Sequence, residues 1–168
     1  MQITKVDRIG QVRAEWGREE PGLDTAPMEV IGRILRVAHL ADARIRKVLR
    51  EEGLDRGSLD VLATLRRSGP PYRLTPTQLY QELVITSGAM THRIDALVRA
   101  GLAQRIADPA DRRSTLVGLT SRGRELAGQA MAAHMRCEAT MTCLLPPTER
   151  ETLAALLARL LHGMEEQT

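Results

Sequence analysis

The chain has 168 residues, a length that suits one domain, or one domain with elaborated ends, better than a multidomain enzyme. Hydrophobic residues make up 43% and charged residues 27%, enough to bury a core and outside the low-hydrophobicity signature of disorder. The net charge is +3, yet the segment from Arg56 to Arg124 holds eleven arginines against five carboxylates, a local +6 that leaves the flanks together at −3.

Arginine pairs bidentately with phosphate and stays charged, so this basic middle segment is a candidate footprint for nucleic acid. No apolar run approaches the roughly 18–20 residues of a membrane span, and the N-terminus lacks the apolar stretch of a signal peptide. Cys137 and Cys143 are too few for a disulfide scaffold and lack the spacing of a zinc site. A cytoplasmic protein with reduced thiols is expected.

Ile3, Val6, Ile9, Val12 and Trp16 recur at spacings of three and four before Pro21-Gly22, which predicts a small leading helix. Val30, Ile31, Ile34, Leu35, Ala38, Ile45, Val48 and Leu49 predict a long helix running to Gly53. Ser58 is the expected cap of a short helix carrying Leu59, Leu62, Ala63 and Leu65, stopped at Ser68-Gly69-Pro70-Pro71. Thr75, Pro76 and Gln78 supply a capping box for a helix over 76–83. After a break at Ile85-Thr86-Ser87-Gly88, residues Met90, Ile94, Leu97 and Val98 predict another helix, ended by Gly101. Leu102 to Ala107 and Ser114 to Leu119 flank a polar turn, Asp108-Pro109-Ala110-Asp111-Arg112-Arg113, and read as a β-hairpin. Thr120-Ser121-Arg122-Gly123 starts a long helix to about residue 144. Thr148 and Glu151 form the expected capping box of a last helix, which has Leu153, Leu156, Leu157, Leu160 and Leu161 on one face.

The order helix, turn, helix, hairpin within a mainly α chain is that of a winged helix-turn-helix. It is expected over 56–120, with an extra helix over 1–22 and a helical dimerisation region from 23–55 and 121–168. The long helices 28–52, 121–144 and 148–165 are apolar on one face, with little in a lone chain to cover them, so a homodimer is expected.

A helix read into the major groove needs an inward apolar stripe and an outward face of small and polar residues near its N-terminus. At 100° per residue, Met90, Ile94, Leu97 and Val98 share one side of the helix over 86–100, while Gly88, Ala89, His92, Asp95 and Ala96 share the other. Thr86, Ser87, Ala89 and His92 are candidates for base edges or thymine methyls, and Arg93 for a phosphate or guanine. Arg112 and Arg113, at the tip of the hairpin, suit the adjacent minor groove. Asp111 is expected to hold one arginine or bond the loop backbone, and Asp95 to anchor the other.

Leu74-Thr75-Pro76-Thr77-Gln78-Leu79, Ser87-Gly88-Ala89-Met90-Thr91-His92-Arg93-Ile94-Asp95, Gly101-Leu102, the turn Asp108 to Arg113, and Leu119-Thr120-Ser121-Arg122-Gly123 resemble the multiple antibiotic resistance regulator (MarR) family. The resemblance covers about residues 28–165. It implies a dimeric DNA-binding transcriptional regulator, expected to be a repressor, on a pseudo-palindromic operator. Thr75 and Thr77 join the expected DNA contacts. The leading helix with Trp16, the run from Pro27 to Gly32 and the stretch Asp60 to Tyr72 further resemble a urate-responsive branch of that family with an N-terminal extension. By position, this resemblance implies ligand contacts by Trp16, Asp60, Arg67 and Arg105.

An anionic heterocycle wants an aromatic wall and arginines for its oxyanion and carbonyls, and competition for those arginines would displace Asp60 or Arg105. Phenolic or carboxylic acids are the alternative effectors. No glycine-rich phosphate loop or nucleophile motif is present, so an enzyme is not expected, nor any cofactor. His134, Cys137, Glu138 and Cys143 are the nearest approach to a metal set, and the two cysteines to a redox sensor; neither role is expected.

Overall fold

The computed structural model describes residues 6–83, 87–109, 111 and 114–167. They form α1 (Arg8–Glu19), α2 (Ala26–Glu51), α3 (Arg56–Arg67), β1 (Arg73–Leu74), α4 (Pro76–Leu83), α5 (Ser87–Arg99), β2 (Ala103–Ala107), β3 (Thr115–Leu119), α6 (Ser121–Thr142) and α7 (Pro147–Glu165). The chain divides into two compact units, one up to Arg44 and one from Ile45 onward, so that α2 begins in the first and ends in the second.

The first unit pairs α1 with the start of α2. Asp7 caps α1 by accepting from the Gly10 amide at 2.8 Å, which satisfies one of the amides left open at a helix start. The same carboxylate accepts from Arg33 Nε at 2.8 Å, and Arg33 also pairs with Glu29, which Arg13 engages from α1. Between the helices Ile9 rests on Gly32. Val6, Trp16, Leu23, Val30, Ile31, Leu35, Val37 and Leu40 remain exposed.

The second unit holds the core: Leu49, Leu62, Leu65, Leu79, Met90, Ile94, Leu97 and Val117 are almost wholly buried, each large aliphatic side chain contributing about 1.5–3 kcal/mol. The sheet has the order β1-β3-β2, all antiparallel, with Arg105 opposite Val117 and Arg73 opposite Gly118. The hairpin was legible in sequence, but β1 was not, since two residues after a Pro-Pro turn carry no alternation to read.

Two expected caps are corrected. Asp55, not Ser58, caps α3: its Oδ1 accepts from the Ser58 amide at 2.8 Å and its Oδ2 from the Ser58 hydroxyl at 3.1 Å. A carboxylate in extended backbone three residues earlier takes the amide that Ser58, already helical, cannot reach. At α7 the box expected at Thr148 and Glu151 is absent; Pro146 is the cap residue and no side chain bonds there, because Pro147 starts the helix with φ set and no amide to satisfy. The box at α4 is as read, with the Thr75 amide donating to Gln78 Oε1 at 2.8 Å and the Gln78 amide to Thr75 Oγ1 at 3.2 Å.

Candidate nucleic-acid interface

The body of the second unit carries α5 on α3, α4 and the sheet. Its inner stripe, Met90, Ile94 and Leu97, is at most 2% exposed, whereas Gly88, Ala89, Thr91 and His92 are exposed. Burial thus fixes which side of the helix faces outward, and small residues on that side allow close approach of a groove. Thr77 is exposed on the first turn of α4, and Thr75 is half-buried with its hydroxyl taken up in the cap.

The wing follows from local chemistry. Gly101 adopts φ 68 just past α5, a left-handed conformation that glycine tolerates, and β2 starts two residues later. The two strands are closed near their tip by Asp108 N–H to the Ser114 carbonyl at 3.2 Å and Ser114 N–H to the Asp111 carbonyl at 2.9 Å. Thr120 then caps α6, accepting from the Gly123 amide at 3.0 Å while donating to the Gly101 carbonyl at 2.8 Å. A side chain at Gly123 would collide with the Leu102 carbonyl, which gives the Leu-Thr-x-x-Gly motif a packing reason.

Arg112, Arg113 and Thr86 lie outside the described residues, as does the side chain of Ser87. Asp95 was expected to anchor a wing-tip arginine; the structure pairs it with Arg105 of β2, whose Nη2 donates to Asp95 Oδ1 at 2.7 Å. The hairpin returns directly from α5, so residues ten apart in sequence become neighbours. The Arg105 guanidinium holds the Asp95 carboxyl below the usual carboxylate range, with Arg99 and His92 adding to the effect. Arg93, expected to reach a phosphate or guanine, is half-buried and lies over Gly57 on the first turn of α3. Sequence reasoning missed this seat, although a glycine in a helical first turn with no call for unusual backbone is the signal that marks it.

Of the expected ligand residues, Trp16 belongs to the first unit, where its side chain is partly exposed on α1. Asp60, Arg67 and Arg105 belong to the second. Asp60 is half-buried, and loss of solvation raises its carboxyl above the ordinary value against the opposing pull of Arg56, Arg93 and His134. Arg67 pairs with Glu82 of α4. It also lines a groove of about 490 Å³ between α3 and α6, with Ala63, Arg66, Gly128, Met131 and Met135. Among the described residues no group of three or more histidine, cysteine or carboxylate side chains is placed to hold a metal, and no helix is long and apolar enough to cross a membrane.

The MarR family profile matches residues 52–114. The chain is 36% identical over 151 residues, covering 90% of itself and 91% of the relative, to the HTH-type transcriptional regulator PecS of Dickeya dadantii. A mutant MarR from E. coli solved in complex with operator DNA is similar at a TM-score of 0.69 and 26% identity, over 87% of this chain and 97% of that one. AbsC, a MarR family transcriptional regulator from Streptomyces coelicolor, has the same fold at a TM-score of 0.73 and 21% identity, over 86% and 98%.

Proposed function

Because this chain belongs to the MarR family of transcriptional regulators, we propose that it acts as a homodimeric repressor that lays α5 in the major groove of a pseudo-palindromic operator and Arg112 and Arg113 in the adjacent minor groove. The observation that carries this reading is the division of α5 into a buried stripe of Met90, Ile94 and Leu97 and an exposed side of Ala89, Thr91 and His92. Thr75, Thr77, Thr86, Ser87, Ala89 and His92 are the proposed groove and backbone contacts. Arg93 joins them only if it leaves Gly57.

The proposed effector is a small anion, urate or a related purine. Asp60, Arg67 and Arg105 are the proposed contacts in the second unit, and Trp16, in the first, is a proposed contact on the family resemblance alone. Two features support an anion: Arg67 beside a groove with a methionine and alanine floor, and an arginine on β2 already tied to α5 through Asp95. An anionic ligand that draws Arg105 to itself weakens that tie, and coupling of about 1–3 kcal/mol would loosen operator binding roughly 5–150-fold.

A gel-shift titration of the gene's own upstream duplex, with urate, xanthine, salicylate and citrate added in turn, tests both halves. Release by urate or xanthine supports the purine assignment, and release by salicylate or citrate alone replaces it with a carboxylic acid. Operator binding should fall steeply with salt, about −0.9 in log–log slope per phosphate contact, and Arg112→Ala with Arg113→Ala should weaken it without unfolding the protein. Binding unchanged in that double variant refutes the wing contact.

A further inference from the structure

We propose that Arg93 is a positioning residue, seated on Gly57 so that the first turn of α3 sets the pose of the reading helix α5; the proposal rests on the operator-binding reading above. An ideal Cβ on Gly57 would lie 2.7 Å from both Cζ and Nε of Arg93 and 3.1 Å from Nη2, and these guanidinium atoms are the three nearest neighbours of that position. The guanidinium therefore fills the space that a Cβ at Gly57 would need. Gly57 needs no positive φ, so conformational freedom does not explain a glycine in a helix, where it costs stability relative to alanine. Close approach does.

The seat joins two elements at a useful place. Arg93 stands one helical turn after Ala89 and directly between the exposed His92 and the buried Ile94, at the line where α5 leaves the body of the unit. Asp60, one turn along α3 from Gly57, is near enough to Arg93 for the two opposite charges to attract, and Arg56, His134 and Asp55 are the other charged or titratable groups acting on that carboxyl. A flexible side chain held by its far end on a rigid turn fixes the angle of the helix that bears it without blocking its outward face. Direct contact with DNA predicts a different set of results, which makes the two roles separable.

Gly57→Ala, Arg93→Ala and the double variant are compared with the wild-type protein on a duplex that the wild type selects from a random pool, and on unselected duplex, across a range of salt. Circular dichroism melts verify the fold; alanine suits a helical turn, and the atom it displaces is the far end of a flexible chain. Gly57→Ala should weaken binding to the selected duplex about fivefold or more, because the methyl evicts the guanidinium, and Arg93→Ala by a similar factor. The double variant should bind no more weakly than Arg93→Ala, since the methyl then has nothing to displace. Both single variants should keep the wild-type salt slope while losing preference for the selected site.

A slope that drops by about 0.9 per protomer in Arg93→Ala would make Arg93 a phosphate contact and overturn the proposal. So would a Gly57→Ala cost that persists in full without Arg93, or no cost at all. A wild-type protein that selects no duplex overturns the operator reading instead, and is recognised before any variant is made.

Discussion

Asp60 is a half-buried carboxyl on α3 whose burial makes the stability of the fold depend on pH. Burial raises its folded pKa above the value of an unfolded chain, so the folded state binds this proton more tightly than the unfolded state. The stability it contributes is present below about pH 4, where both states hold the proton, and is lost as pH rises through the folded value. Asp60→Asn should therefore raise the melting temperature at pH 7 relative to the wild type, with the difference shrinking toward pH 4. Melts at pH 4, 5, 6 and 7 measure it, and a variant less stable at pH 7 would show that Asp60 is instead held by an attraction to Arg56 and Arg93. Asp95 has the opposite sign: its depressed pKa makes the tie to Arg105 a contribution present above about pH 4 and lost on acidification.

The helix starts show why a motif in sequence is not yet a bond. Thr75 and Gln78 satisfy each other as the pattern implies, whereas Thr148 and Glu151 have the same spacing at a helix that begins two residues too early for them. At α3 the working cap is Asp55, with Ser58 as its donor. Asp55→Ala should cost about 1 kcal/mol, read as a lower urea midpoint at unchanged m-value. Ser58→Ala, which removes only the hydroxyl donated to that carboxylate, should cost less than half as much. Equal losses would return the cap to Ser58.

At the scale of the whole molecule, α7 has no buried residue among those described, and Leu153, Leu156, Leu157, Leu160 and Leu161 all remain exposed. Such a contiguous apolar face is a signature of association, and a second copy of this chain is its proposed cover. Leu156→Asp with Leu160→Asp leaves the chain's own core intact, yet places charge on that face in both copies. Sedimentation velocity should show the single-subunit species, with dimer dissociation strengthened at least about a hundredfold and operator binding lost with it. A stable dimer would place the subunit contact elsewhere.

The sequence by itself determined the helices, their order, the wing and the inner face of α5, because each depends on near neighbours: 3.6-residue periodicity, caps, glycine at helix ends and strand alternation. It also singled out Asp95, and through the family resemblance Arg105, as candidate site residues, though not as partners. Only the tertiary structure decided β1, the pairing of Asp95 with Arg105, the burial of Asp60 and the seat of Arg93 on Gly57. These depend on which backbones pass close to one another, and a contact between residues 36 positions apart leaves no period in the chain; its one local trace is a glycine where the helix would be more stable with alanine.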